Sequence, residues 1–121
     1  MATRTSTITK PGPNFSLQLA VWTGLLNGDD GTLFEFVDWA DRCFQVFGTF
    51  GAGGTIVMEG SNDGTNWSTM TDASGVAMSY TAASVKQMTE APRYVRPRVT
   101  AGDGTTNLTA SVLARRMNSI A

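Results

Sequence analysis

The stretch EGSNDGTNWSTMTD, Glu59 to Asp72, gathers carboxylates, amides, hydroxyls and an indole. Such groups do one of three things: coordinate a cation, hold a sugar, or shape a turn. Asn62 and Asp63 offer oxygens to calcium, as do Asp29, Asp30 and Asp103 in other turns. Calcium wants about six to eight oxygen ligands, and no Asp-x-Asp-x-Asp spacing with a closing Glu exists here. Asn-Gly and Asp-Gly pairs are more simply turn formers that tolerate positive φ. The expectation is therefore a β-hairpin with Asp63-Gly64 setting the turn and Trp67 packing beside it.

Other chemistry is thinly provided. Trp22, Trp39 and Trp67, with Tyr80 and Tyr94, would make a stacking platform for a sugar or base, but they also suit the interior or a subunit interface of a small β domain. The glycine cluster GTFGAGGT has no Lys behind it and no helix pattern, which speaks against a phosphate cradle. Asp38 and Asp41 have the residue type for glycosidic cleavage, although ten carboxylates on one domain supply such pairs by chance. Histidine is absent, which removes the usual general base near neutral pH, the Ser-His and Cys-His pairs, and imidazole metal sites. The residues point away from an enzyme and call for no cofactor.

Ten acidic and nine basic side chains leave a formal net charge of −1, without the positive field of a nucleic-acid binder. Arg93, Arg96, Arg98, Arg115 and Arg116 supply five of the nine positive charges and could form a local basic face, or serve as partners for carboxylates. Cys43 stands alone and has no intrachain disulfide partner. The N-terminus lacks the apolar run of a secretory signal, and no stretch of about 18 apolar residues predicts a membrane span. The three glycosylation sequons, at Asn14, Asn66 and Asn107, accordingly carry no weight.

The elements that must position these residues read as strands. Seventeen threonines and thirteen glycines favour short strands joined by tight turns. Residues 1–14 read as an extended arm, since Pro11-Gly12-Pro13 opposes regular pairing. FSLQLAVWTGLL alternates, with Leu17, Leu19 and Val21 on one face and Trp22 on the other. Phe44, Val46 and Phe50 share a face, as do Ile56 and Met58. GAGG and GDGTTN read as hairpin tips. In RYVRPRVTA, Val95, Pro97 and Val99 oppose Tyr94, Arg96 and Arg98, and Pro97 predicts an edge strand or a bulge. Leu108, Ala110 and Val112 point inward. A stretch over Thr32 to Phe44 is readable as a short helix, but its aromatic and β-branched content favours strand. The result is one domain over 15–121, an antiparallel β-sandwich of seven or eight short strands, jelly-roll-like or Ig-like, preceded by the arm.

The run DRCFQVFGTFGAGGTIVMEGSNDGTNWSTMTD, followed by YVRPRVTAGDGTTNLTASVLARR, resembles a family of small proteins encoded in the structural modules of tailed bacteriophages. The likeness covers residues 28 to 116 and rests on a GTFG strand, a GSNDG-x-x-W hairpin, a RYVRP strand and a GDGTT hairpin. It implies a non-enzymatic virion protein, made in the host bacterial cytoplasm and carried on the outer capsid surface as a decoration or cement protein. Its partner would be the major capsid protein, and homodimers or homotrimers are expected. The residues assigned to capsid contact are Arg4, Lys10, Arg93, Arg96 and Arg98, with Trp22, Trp39, Trp67 and Tyr94 as core or oligomer aromatics. Two alternatives stand beside it: a neck or tail component, and a carbohydrate- or receptor-binding module, because discoidin-like sandwiches also use a SNDG-x-x-W hairpin.

Overall fold

The computed structural model describes residues 2–9, 17–35 and 41–115, and all regular structure within them is strand. Twelve strands, β1 to β12 in chain order, make two sheets. Sheet I holds β1 (Thr3–Arg4), β4 (Asp30–Gly31), β5 (Phe34–Glu35), β7 (Thr55–Ser61), β8 (Ser68–Thr69), β9 (Ser79–Tyr80) and β11 (Tyr94–Ala101). Its order is β1-β4-β11-β7-β8, with β5 also on β11 and β9 also on β7. Sheet II holds β2 (Thr7–Thr9), β3 (Leu17–Leu25), β6 (Asp41–Thr49), β10 (Ser84–Gln87) and β12 (Asn107–Arg115), in the order β10-β6-β12-β3-β2. Every pairing is antiparallel except β1 with β4.

From β3 on, the chain passes back and forth between the sheets, β3 in II, β4 and β5 in I, β6 in II, β7 to β9 in I, β10 in II, β11 in I and β12 in II, so the long ladders join strands distant in sequence. This is the jelly-roll member of the sandwich class. The expected hairpin tips GAGG and GDGTTN are in fact links between the sheets, joining β6 to β7 and β11 to β12. They lie side by side: Asp103 Oδ2 accepts from Ala52 N at 2.9 Å, and Thr106 Oγ1 donates to Phe50 O at 2.8 Å.

The period-two alternation places the core. Trp22, Phe44, Val46, Ile56, Met58, Val95, Val99, Leu108, Ala110 and Val112 close the interior between the sheets. Trp22 meets Phe34 edge-on at 6.5 Å between ring centroids and donates from Nε1 to Thr32 O at 3.0 Å, which satisfies its one polar atom. Gly31 lies against that indole. A Cβ there would come within 2.6 Å of Trp22 Cδ1 and 2.8 Å of Pro97 Cδ, so only glycine fits.

Pro97 does not sit in an edge strand. β11 runs inside sheet I, with β7 on one side and β4 and β5 on the other. Met58 N, opposite Pro97, donates away from β11 to Met78 O, which directs the Pro97 nitrogen to the other flank. There the ladder is broken between Arg98↔Asp30 and Val95↔Phe34, and the missing donor has no acceptor to disappoint.

Residues 2–9, within the expected arm, pair with both sheets of their own chain. β1 lies along β4, and β2 lies along β3 with Thr7↔Val21 and Thr9↔Leu19. Lys10, Pro11-Gly12-Pro13, Trp39, Asp38 and Arg116 lie outside the described residues.

Candidate interaction surface

The outer face of sheet I collects most of the sequence-predicted residues. Along β11 the side chains of Tyr94, Arg96 and Arg98 alternate outward while Val95, Pro97 and Val99 go in. Beside them β7 presents Glu59 and β4 presents Asp30. Arg96 Nε bonds Glu59 Oε1 at 3.0 Å, and its Nη1 lies 3.5 Å from Asp30 Oδ2. Arg98 Nη1 reaches the other Glu59 oxygen at 3.6 Å. Arg93 pairs with Glu35 at 2.8 Å, and Arg4 with Asp29 at 2.9 Å. The described arginines Arg4, Arg93, Arg96 and Arg98 are thus matched by Asp29, Asp30, Glu35 and Glu59, making a neutral lattice rather than a basic patch.

Two rings complete it. The Arg96 guanidinium lies over Trp67 at 4.2 Å, and that of Arg93 over Tyr94 at 5.0 Å. Arg98 and Arg93 keep about half of their side chains in solvent, at 48% and 54%, whereas Arg96 keeps 22%. Trp22, grouped with these rings in the sequence reading, is instead fully buried between the sheets.

The hairpin that carries Trp67 is held by its own side chains. Asp63 Oδ1 accepts from the Asn66, Thr65 and Ser61 donors at 2.8 Å each, and Oδ2 from Asn66 Nδ2 at 2.8 Å. Gly64 takes φ 78°, and its N–H donates to Ser61 Oγ at 2.9 Å. The Asn66 N–H, followed by the Thr65 N–H and the Asn66 and Ser61 side chains, holds the Asp63 carboxyl well below the ordinary range. Both oxygens are therefore spent on turn geometry, as the turn reading of SNDG expects. Asp103 is used alike: hydrogen bonds from the Thr105 side chain, then from Ala52 and Thr105 N–H, pull its carboxyl down to about 2.

A polar cleft of about 470 Å³ opens beside the hairpin, lined by Asn62, Asn66, Ser68, Thr69, Glu90 and Pro92 among others. Glu90 bonds Thr71 through its N–H at 2.7 Å and through its hydroxyl. Sequence reasoning missed this cleft, because Glu90 and Pro92 meet the hairpin from more than twenty positions along the chain.

Asp29 was named only as a possible calcium oxygen and proves to be a joint. Its carboxylate accepts from Ala2 N at 2.8 Å, Arg4 Nε at 2.9 Å and Leu26 N at 3.0 Å. Burial pushes its acidity down, but the Leu26 N–H, the Arg4 guanidinium and the Ala2 N–H outweigh that and leave the carboxyl below its usual pKa.

No family model and no curated protein matches the sequence. Among solved structures, the SPBc2 prophage-derived protein YomS shares the fold at a TM-score of 0.62 and 10% identity, over 81% of this chain and 93% of that one. The cysteine peptidase Peruvianin-I from Thevetia peruviana latex aligns at a TM-score of 0.49 and 15% identity, over 93% and 61% of the two chains. The Neisseria meningitidis protein NMB1881 aligns at 0.43 and 12%, over 91% and 81%. The first establishes a common β-sandwich fold. Among the described residues, no helix is long and apolar enough to cross a membrane.

Proposed function

We propose that this protein is a structural component of a tailed-bacteriophage particle, a decoration protein that binds the major capsid protein on the outer surface of the shell and stabilises it. The observation that carries the phage reading is the fold shared with a prophage-derived protein over 81% of this chain and 93% of that one. The arginine-aromatic face of sheet I is the surface we assign to the capsid. Its guanidiniums are aligned by carboxylates before any partner arrives, so little side-chain entropy is left to lose on docking. Arg98 and Arg93, half exposed, supply outward donors, and Trp67 and Tyr94 supply apolar area. Many copies on one shell multiply a modest individual affinity. Such proteins are made in the bacterial cytoplasm and act without a cofactor.

Co-sedimentation with purified capsids of the encoding phage tests this. Binding near one copy per capsid subunit, or per local symmetry axis, is expected, together with loss in the double variant Arg96→Glu, Arg98→Glu. About a dozen copies per particle or fewer would move the protein to the neck or tail. No particle binding at all would sink the proposal.

One observation favours a second reading, a carbohydrate-binding module: the polar cleft beside the Trp67 hairpin. Against it, Arg96 already covers one face of the Trp67 ring, which would otherwise be a stacking platform. Selective glycan-array signal that is lost in Trp67→Ala, with the fold intact, would decide for the module.

A further inference from the structure

The outer face of sheet II is unlike that of sheet I. Along β12, Thr109, Ser111, Leu113 and Arg115 point outward, opposite the buried Ala110, Val112 and Ala114. The ladder registers fix what lies beside each. One row across the sheet reads Val85, Gln45, Ser111, Val21, and the next reads Gln87, Cys43, Leu113, Leu19. At the end of the face Asp41 sits beside Arg115, bonded at 3.1 Å with both side chains largely in solvent. Phe47, Val85 and Leu113 are exposed, at 47%, 57% and 37%. This is a nearly uncharged sheet face on which exposed apolar side chains alternate with neutral polar ones, and exposed apolar area of this kind marks association surfaces.

We propose that two copies of this chain join through this face, about a two-fold axis running along the strands between β6 and β12. An isologous contact must place a surface against itself, so its chemistry must be complementary on either side of the axis. Most of this face has that property, the pairs without it being Gln87 over Leu19 and Phe47 over Thr109. Turning it about the β6/β12 line brings Val85 over Val21 of the second copy and Gln45 over its Ser111, an apolar pair and a hydrogen-bonding pair. The same turn brings Asp41 over Arg115 of the second copy and the reverse, so that one end of the face gains two ion pairs of the right sign across the contact. Cys43 meets Leu113 of the second copy, and a shallow cleft of about 280 Å³ lies there, between Leu17, Cys43 and Leu113, to receive that side chain. Two sheets packed face to face stay within about 30° of alignment, so pairs close to the axis keep their partners despite the twist.

Size sets the strength. The four strands that overlap across this axis, β10, β6, β12 and β3, spaced about 4.8 Å apart over about seven residues of about 3.4 Å, give a face of roughly 450 Å². Two copies would bury about 900 Å², below the roughly 1,200 Å² of stable specific interfaces and in the range of weak ones. The dimer therefore dissociates in the micromolar range and is favoured wherever copies are concentrated on a surface. Association through sheet II stands apart from capsid docking through sheet I, and either can fail alone.

Sedimentation velocity of the full chain, from below about 1 µM to about 100 µM, reads this directly. The weight-average mass is expected to climb from one copy toward two. Leu113→Glu and Val85→Lys should each weaken association about tenfold or more, with unfolding midpoint and circular dichroism confirming the fold; if Leu113→Glu fails to fold, the more exposed Val85 carries the test. Asp41→Arg and Arg115→Asp should each weaken self-association alone, while an equimolar mixture of the two restores it, which an ion pair within one chain would not do. Arg96→Glu with Arg98→Glu should leave the mass unchanged. A single-copy mass at every concentration, a limiting mass of three copies, or a mixture no tighter than either variant alone would overturn the proposal.

Discussion

The two outer faces of this jelly roll share one core and one alternating pattern, yet they solve the problem of meeting solvent in opposite ways. Sheet I covers itself with arginines, each set against a carboxylate, and with rings under two of the guanidiniums. Sheet II exposes valine, leucine and phenylalanine between neutral polar residues, with the Asp41–Arg115 ion pair at the end of its central strands. Charge that is satisfied internally stiffens a surface, whereas apolar area left in water waits for a partner. The difference teaches that one core can carry two surfaces of unlike chemistry, one ordered by paired charge and one left apolar.

Perturbations ordered by size can break or sharpen that contrast. The largest effect should come from beneath both faces. Trp22→Ala removes a fully buried ring and is expected to cost about 3–5 kcal/mol in denaturant unfolding. A loss under about 1 kcal/mol would mean the sheets do not depend on a common core. Next, Glu59→Ala strips the carboxylate shared by Arg96 and Arg98, and should cost about 2–3 kcal/mol because Glu59 is buried. An equal cost from Leu113→Ala on the other face would erase the distinction.

Asp29→Ala comes third, at about 2 kcal/mol, since it strands donors from Ala2, Leu26 and Arg4. Hydrogen exchange should speed up at residues 2–4 and 30–32, while the β2-β3 ladder stays protected. Acid should act on the same joint. The Asp29 carboxyl titrates lower folded than unfolded, so its contribution is present above the unfolded pKa of about 4 and is lost as pH falls through the folded value. Stability that is flat with pH from about 5 down to about 2 would contradict that sign. The smallest effects belong to exposed positions. Val85→Ser on sheet II should stay within about 0.5 kcal/mol on dilute monomer, and Arg93→Ala on sheet I should leave the unfolding midpoint where it is.

Much of this architecture was legible in the sequence. The alternations in 44–46, 56–58, 95–99 and 108–112 name the inward residues that the structure buries, because a period of two survives any choice of partner strand. Turn chemistry located the chain reversals at 51–54, 61–66 and 102–106. It did not reveal which reversals were hairpins and which crossed between sheets, since glycine and aspartate serve both. Pro97 allowed an edge strand or a bulge, and the structure shows an interior strand whose register is irregular there. A proline excludes a ladder bond on one flank only, and the gap between β4 and β5 that absorbs it is visible only when those short strands are set against β11. For the surface, arginine positions showed that Arg96 and Arg98 share a face. That Glu59, Asp30 and Trp67 neutralise and cover them depends on cross-strand register, which local sequence does not carry.

The first residues deserve a last consequence. A jelly roll has raw edges, and an exposed strand edge recruits any extended chain that passes, the starting point of aggregation. Here one short peptide occupies the flank of both sheets at once, β1 on β4 and β2 on β3, with Asp29 and Asp30 bonding to it. A foreign strand arriving on that flank must evict a resident already tied by side chain and backbone. A protein that accumulates in many copies before it is used gains from such a guard, which keeps concentrated chains from growing into fibres.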